Sequence, residues 1–282
     1  MPELPEVETI KRGLKAKIIN KKISKVQVKT PTLIKIPQPD EFINQLKGAL
    51  VINVESRGKY IIICLNTMYR LVIHLGMSGR LIYQSDTLSF FKKLRINEKH
   101  NHIFFFFRDG SKIVYNDVRK FGKMWLLKKN EKLPRIESLG FEPLDPSFTF
   151  NKLFQLFNEK GKVNIKSFLM NQKNIAGIGN IYANEILFQA GIHPLRKANS
   201  LTKKETKRLY LNIKNILSKA IAYGGTTMID ESYLDLNGKK GEYGKEIMVY
   251  GKKAGKCPVC GKPLEVIRIE NRSTFICSNC QN

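Results

Sequence analysis

The sequence predicts an α+β protein of several domains: a β-rich N-terminal part, a helical second part and a small C-terminal hairpin with four cysteines. Three observations support this division. Short β-rich runs fill residues 23–127, helical patterns replace them after residue 148, and two Cys-x2-Cys pairs stand near the C-terminus. We place the domains at 1–132, 148–225 and 226–282, with a linker over 133–147.

The first predicted element is a helix, because apolar residues recur at helical spacing at Val7, Ile10, Leu14 and Ile18. Short β-rich runs follow, separated by Gly, Asn and Asp turns. They are ISKVQV, LVINVES, KYIIICL, YRLVIHL, HIFFFF, KIVY and KMWLL. This part is predicted to be a two-layer β fold.

The linker KNEKLPRIESLGFEPLDPSF has no periodicity and contains three prolines. Helical patterns follow in NKLFQLF, KVNIKSFLM, NIYANEILFQAG and LTKKETKRLYLNIKNILSKAIAYGG. In the last, Thr202 and Glu205 form a capping-box pattern and Gly224 ends the helix. Its apolar face contains Leu209, Ile213, Ile216, Leu217 and Ala220. A helical bundle is predicted.

The two Cys-x2-Cys pairs are separated by sixteen residues and consist of Cys257, Cys260, Cys277 and Cys280. This spacing is typical of a zinc site with four thiolates, which leaves no position for water and indicates a structural Zn²⁺. Two disulfides are the alternative. The intervening segment predicts a hairpin that turns near Asn271 and carries Arg272 at its tip. The fifth cysteine, Cys64, lies in an apolar run and is predicted to be a core residue.

The charge indicates the class of partner. Lys and Arg number 49 against 24 Asp and Glu, a formal net charge of +25. Such an excess favours a polyanion, above all nucleic acid, although a lysine-rich surface alone is the alternative. The longest apolar runs, YIIICL and IFFFF, are too short to cross a bilayer, and no secretory signal is present. We expect a soluble cytoplasmic protein.

A Gly-x-Gly stretch, Gly177 and Gly179, stands directly before a predicted helix. The free N–H groups at a helix start can bind phosphate, and the charge of the chain favours that interpretation. A simple tight turn explains the same pattern.

Five motifs stand in order along nearly the whole chain: PELPEVET, HLGMSGR, NDVRKFG, GIGNIYANEILFQAGIHP and the cysteine hairpin with RSTF. Together they resemble the formamidopyrimidine-DNA glycosylase family, bacterial enzymes that excise oxidised purines. The resemblance implies an N-terminal β-sandwich, a helix-two-turn-helix domain and a zinc finger. It also implies a monomeric glycosylase and abasic-site lyase that acts on double-stranded DNA containing oxidised bases or abasic sites.

The opening stretch MPELPEVETI would carry the chemistry. An α-amino group has a pKa near about 8, against about 10.4 for lysine, and is therefore more often neutral and nucleophilic at pH 7. Removal of Met1 makes the Pro2 nitrogen that amine, and its iminium with deoxyribose C1′ stays cationic through base loss and strand cleavage. By resemblance, Glu3 protonates the opening sugar and Glu6 orients the amine. The alternative is that Pro2 and Glu3 only start and cap the helix.

The resemblance assigns the remaining site residues. Phosphate binding falls to Lys59, which we group with the catalytic residues, and to His74, Lys166, Asn180 and Arg272. The wedge that fills the space left by an extruded base would consist of Met77, Arg119 and Phe121. Taken without the resemblance, Met77 and Phe121 could equally be core or ordinary surface residues.

The chain departs from the family pattern at three places. Met228, Ile229 and Lys240 replace residues that are common in the loop over the extruded base, and Val118 replaces a proline before Arg119. Substrate preference is therefore open. Two alternatives remain: a related glycosylase for oxidised pyrimidines, and a zinc-bearing DNA-binding protein without catalysis.

Overall fold

The computed structural model describes residues 2–85, 97–228, 233–253 and 255–282. The chain forms two compact units. The first comprises Met1–Glu137 and Tyr223–Gly244, and the second comprises Ser138–Ala222 and Lys245–Asn282. The described residues within 226–244, which the sequence analysis groups with the zinc finger, therefore belong to the β-rich unit.

The first unit begins with helix α1, Leu4–Ile18, which buries Val7, Ile10, Leu14 and Ile18 as predicted. The strands are β1 Ile23–Val28, β2 Ile34–Ile36, β3 Val51–Arg57, β4 Tyr60–Leu65, β5 Tyr69–His74, β6 Gly79–Gln84, β7 Asn101–Phe107, β8 Lys112–Asp117 and β9 Lys123–Lys128. The unit also contains the helices α2, Pro39–Leu46, and α3, Pro134–Glu137, and short 3-10 helices at Pro31–Leu33 and Glu98–His100. Every predicted strand is confirmed, whereas β2, α2, β6 and α3 were not predicted, and α3 lies within the predicted linker.

The strands form two sheets. One has the order β2-β9-β5-β4-β3 and the other β1-β7-β8-β6. A single apolar cluster joins side chains of both sheets to the buried face of α1, including Leu14, Ile61, Ile73, Leu81 and Ile103. The predicted two-layer β fold is therefore confirmed as a sandwich, because one alternating face of each sheet supplies its core.

The second unit contains four helices among its described residues: α4 Phe150–Lys160, α5 Ile165–Met170, α6 Asn180–Gln189 and α7 Lys203–Ala222. The predicted capping box is confirmed, because the Glu205 N–H donates to Thr202 Oγ1 and the Thr202 N–H donates to Glu205 Oε2. Helix α7 ends two residues before Gly224, which has a φ of +71°. The predicted apolar face of α7 is buried.

The C-terminal hairpin pairs β10, Glu265–Ile269, with β11, Arg272–Ile276. Glu270 and Asn271 form its turn and both have positive φ, 48° and 60°. The turn predicted near Asn271 is thus confirmed. Within the described residues, none of the helices combines the length and the apolar character that crossing a lipid bilayer requires.

Candidate active site

Three of the four residues assigned to catalysis, Pro2, Glu3 and Glu6, are buried at the N-terminal end of α1. Pro2 and Glu3 are both buried, and Glu3 is only 2% exposed. Glu3 is the N-cap residue of α1, and it forms a capping box with Glu6, whose Oε2 accepts the Glu3 N–H at 2.7 Å. The capping box also uses the Glu3 side chain, which accepts the Glu6 N–H, and it fixes the position of Pro2 beside the helix start. Met1 lies outside the described residues.

Glu6 links this helix start to the segment after α7. Its Oε1 accepts the N–H of Thr226, 220 positions away in sequence, at 2.8 Å, so one buried carboxylate bonds the backbones of both segments. Gly225, at a φ of +83°, lets the chain pass, because a Cβ there would lie 2.9 Å from Glu6 Oε1. Burial raises the pKa of the Tyr233 phenol, and the Glu6 charge raises it further. The neutral hydroxyl donates to the Gly224 carbonyl at 3.0 Å.

Lys59 and His74 lie at neighbouring ends of the paired strands β4 and β5. Lys59 immediately precedes β4 and is buried, and His74 ends β5 opposite Tyr60. Burial, with smaller contributions from the Lys59 and Arg135 charges, lowers the pKa of His74 to about 4. Its ring is therefore neutral at pH 7. Because Nδ1 accepts the Gly76 N–H at 3.2 Å, the ring proton is assigned to Nε2, which can donate to a phosphate oxygen.

The three predicted wedge residues lie on two loops that cross between the sheets. Met77 follows β5, and Arg119 and Phe121 follow β8. Met77 is 39% and Phe121 51% exposed, so neither is a core residue. The Arg119 guanidinium lies 4.7 Å from the centre of the Phe121 ring. The fold thus brings the two side chains into one exposed cation–π pair.

Lys166 is enclosed in the second unit. Only 1% of the residue is exposed, and its ammonium donates to Thr274 Oγ1 at 2.6 Å and to the Ser273 carbonyl at 3.2 Å. Asn180 Nδ2 also donates to the Ser273 carbonyl, at 3.1 Å. Lys166 and Asn180, both predicted to bind phosphate, therefore donate hydrogen bonds to β11 of the hairpin. Arg272, at the start of β11, is exposed.

Two further residues of α6 hold this region, and the sequence analysis did not find them. Asn184 Oδ1 accepts the Phe275 N–H at 2.7 Å. The Glu185 carboxylate accepts the N–H groups of Met248, Val249 and Tyr250, while burial raises its pKa. Their signal was present in the sequence, because both stand between apolar residues in the middle of α6, and buried polar residues need partners.

The Gly-x-Gly stretch forms a tight turn before α6. Gly177 has a φ of +86° and its N–H donates to Gln172 Oε1 at 2.8 Å. Gly179 is the N-cap residue of α6. The turn interpretation therefore accounts for Gly177, while a phosphate at the helix start remains a prediction.

The four cysteines converge on one point. Their Sγ atoms all lie within 4.8 Å of one another, with Cys257–Cys280 at 3.8 Å and Cys260–Cys277 at 3.4 Å. Tetrahedral zinc with Zn–S bonds of about 2.3 Å requires sulfur separations of this size. A disulfide requires about 2.05 Å, which excludes the alternative pairing in this structure. Gln281 Oε1 accepts the Cys277 N–H at 2.9 Å and supports the second pair of ligands.

Comparison with known proteins identifies the family. Residues 1–124 match the formamidopyrimidine-DNA glycosylase N-terminal domain, residues 139–232 its H2TH domain, and residues 255–282 the zinc finger found in FPG and IleRS. The chain belongs to the formamidopyrimidine-DNA glycosylase family. With the cysteine geometry, the last match establishes the metal as one structural Zn²⁺.

Similar members of the family extend over the full length of the chain. A formamidopyrimidine-DNA glycosylase of Wolbachia pipientis is 43% identical over 282 residues, covering 100% of both chains. A Lactococcus lactis Fpg variant, solved with DNA containing Fapy-dG, is 33% identical with a TM-score of 0.89. Lactococcus lactis Fpg with DNA containing an abasic site is 32% identical with a TM-score of 0.88. Both structures cover 99% of each chain.

The structure describes most of the residues at which the chain departs from the family pattern. Val118 is exposed beside the wedge residues, and Lys240 is exposed in the first unit. Met228 is half-buried, whereas Ile229 lies outside the described residues.

Proposed function

We propose that this glycosylase removes oxidised purines, 8-oxoguanine and formamidopyrimidines, from duplex DNA and then cleaves the strand through an iminium on Pro2. One observation carries the proposal: the buried Glu6 carboxylate holds the backbone beside Pro2, with Glu3 at the same helix start. The Lactococcus relatives bound to Fapy-dG and abasic-site DNA support this substrate class.

The reaction begins with Met1 removed, so that Pro2 is a terminal secondary amine. Its nitrogen forms a bond to C1′ as the bond from C1′ to the base breaks, and the base leaves with a proton. Glu3 donates a proton to the ring oxygen as the sugar opens, which requires its carboxyl group to be protonated at that moment. Glu6 acts as a positioning residue through the Glu3 N–H.

The iminium has no N–H to lose and therefore remains a cation. It acidifies the C2′ proton, whose removal breaks the 3′ C–O bond and expels the 3′ phosphate. A second elimination expels the 5′ phosphate. Base loss and strand cleavage therefore share one covalent intermediate.

DNA phosphates would be bound by both units. In the first, Lys59 supplies a cation and the neutral His74 an N–H donor. In the second unit, Asn180 and Arg272 would contact the DNA backbone, and Lys166 supports the hairpin through its bond to Thr274. Zinc, held by the four cysteines, contributes no reacting atom and keeps the hairpin folded. We expect the enzyme to act as a monomer on chromosomal DNA, in the bacterial cytoplasm at the nucleoid.

Covalent trapping tests the nucleophile. Protein without Met1 is incubated with duplex containing 8-oxoguanine opposite cytosine, with borohydride to reduce the iminium to a stable amine. We expect an adduct that peptide mapping places on Pro2. With Met1 retained, the Pro2 nitrogen is an amide, and trapping and cleavage should both disappear while DNA binding persists.

Glu3→Gln provides a second arm. It should bind duplex normally yet lose most base removal, because Gln cannot donate the proton. Trapping that continues unchanged with Met1 retained would assign the nucleophile to an internal lysine and overturn the proposal.

A further inference from the structure

We propose that Asp117 is the positioning residue for base extrusion, because its buried carboxylate fixes the two loops that carry Met77, Arg119 and Phe121. We call these three residues the wedge. The inference rests on the proposed function, in which the wedge fills the stack during extrusion.

The two loops are neighbours because each connects one sheet to the other, between strands that are paired within their sheets. Residues 75–78 connect β5 to β6, and residues 118–122 connect β8 to β9. Strand pairing places His74 opposite Lys123 and Gly79 opposite Asp117, so both ends of the two loops are neighbours. Asp117 lies where β8 ends and is fully buried.

The Asp117 carboxylate accepts hydrogen bonds from both loops. Its Oδ1 accepts the Ser78 hydroxyl at 2.6 Å and the Arg119 N–H at 3.1 Å. Its Oδ2 accepts the Tyr115 hydroxyl at 3.0 Å and the Gly122 N–H at 2.9 Å. Four donors converge on four lone-pair sites, which an ionised carboxylate can satisfy and an amide cannot.

The loops also touch through their backbones. A Cβ on Gly76 would lie 2.6 Å from the Gly122 nitrogen, and a Cβ on Gly79 or Gly122 would collide with the Tyr115 hydroxyl. Because no side chain can enter between them, a displacement of one loop is transmitted to the other. Asp117 and Tyr115 occupy the contact point.

This anchoring matters because the wedge side chains are exposed. Their direction depends on backbone conformation, and Lys120, between Arg119 and Phe121, has an unfavourable φ of +56°. The hydrogen bonds of Asp117 flank this residue on both sides, at Arg119 and Gly122. The carboxylate therefore sets the angle at which the Arg119–Phe121 pair meets a base stack.

The test is Asp117→Asn, which keeps the shape but directs an NH₂ group at two donors. Single-turnover excision of 8-oxoguanine from duplex should fall about 10- to 100-fold, since extrusion depends on exact placement of the wedge. Cleavage at a preformed abasic site should fall by less than about threefold, because no base has to be unstacked. The double variant Arg119→Ala, Phe121→Ala sets the scale of complete wedge loss.

Two further variants complete the design. Tyr115→Phe removes one hydroxyl donor and should lower the ratio of excision to abasic-site cleavage in the same direction; it carries the test if Asp117→Asn does not fold. Asp109→Asn makes the same exchange at the turn before β8, where the carboxylate bonds Lys21 and Ser111, and should leave that ratio unchanged.

Amide hydrogen exchange gives a readout that does not depend on catalysis. In Asp117→Asn, protection of the Arg119 and Gly122 N–H groups should be lost while the β8 amides stay protected. Equal losses on both substrates, or unchanged protection at these two amides, would overturn the proposal. If the wild-type protein excises nothing, the proposed function fails, and the exchange measurement still decides whether Asp117 fixes the loops.

Discussion

The N-terminal end of α1 carries Pro2, and the zinc hairpin carries the exposed Arg272. Different interactions stabilise these two regions. Pro2 is fixed to a large sandwich core through α1 and the Glu6 carboxylate. Behind the hairpin is a small apolar cluster, consisting of Phe188, Val249, Cys257, Leu264, Phe275 and Cys277. Two of those six residues are metal ligands, so the hairpin relies on zinc and on buried polar side chains where the first unit relies on apolar burial.

The difference follows from size. A sandwich of nine described strands buries enough apolar surface to keep a capping carboxylate in place. A hairpin of ten strand residues does not, and such small elements need a metal or other cross-link. The comparison predicts which changes each region tolerates.

Loss of zinc should give the largest effect, confined to the hairpin. Cys260→Ser should release the metal and weaken binding to all duplexes at least about tenfold, because zinc binding supplies the folding free energy of such sites. Metal content and duplex titration measure this. Cys64→Ser, in β4, is the matched control and should retain one zinc. Freshly purified wild-type protein without stoichiometric zinc would contradict the comparison.

Replacement of the enclosed ammonium should have an intermediate effect. Lys166→Met keeps the length but leaves Thr274 and Ser273 without this donor, which should cost about 1–3 kcal/mol of hairpin stability and weaken duplex binding. If Lys166 only supports the hairpin, Lys166→Met should leave the slope of log K against log salt unchanged. Arg272→Ala removes a phosphate contact and should reduce that slope by about one. A reduced slope for Lys166→Met would make Lys166 a direct phosphate ligand.

At neutral pH the smallest effect belongs to His74 in the first unit, whose contribution appears only in acid. Its pKa is about 4 in the folded chain against 6.5 for an unperturbed histidine, so the unfolded ring binds a proton first as pH falls. Unfolding free energy should therefore decrease between pH 6.5 and 4, by on the order of 3 kcal/mol, and not above pH 6.5. His74→Gln should remove this component in pH-dependent denaturation. His193→Gln should not, and an unchanged profile for His74→Gln would refute the assignment.

Much of this protein could be predicted from its sequence, because the informative signals are local. The spacing of Val7, Ile10, Leu14 and Ile18 predicts a helix and its buried face, and paired cysteines predict a metal site whatever surrounds them. Strand β6 was missed because the run GRLIYQ begins with Gly, and β2 because it has only three residues.

Only the tertiary structure decided the partners of the buried polar groups. Lys166 is a residue type that often binds phosphate, yet its ammonium donates a hydrogen bond to Thr274, 108 positions away in sequence. Asp117 belongs to the motif NDVRKFG, in which the sequence analysis assigned roles to Arg119 and Phe121. In the structure its carboxylate accepts hydrogen bonds from both loops, 75–78 and 118–122. Periodicity specifies which face of an element is buried because that depends on nearby residues. Which donor meets which acceptor depends on strand order and helix packing, and these arise only when the whole chain folds.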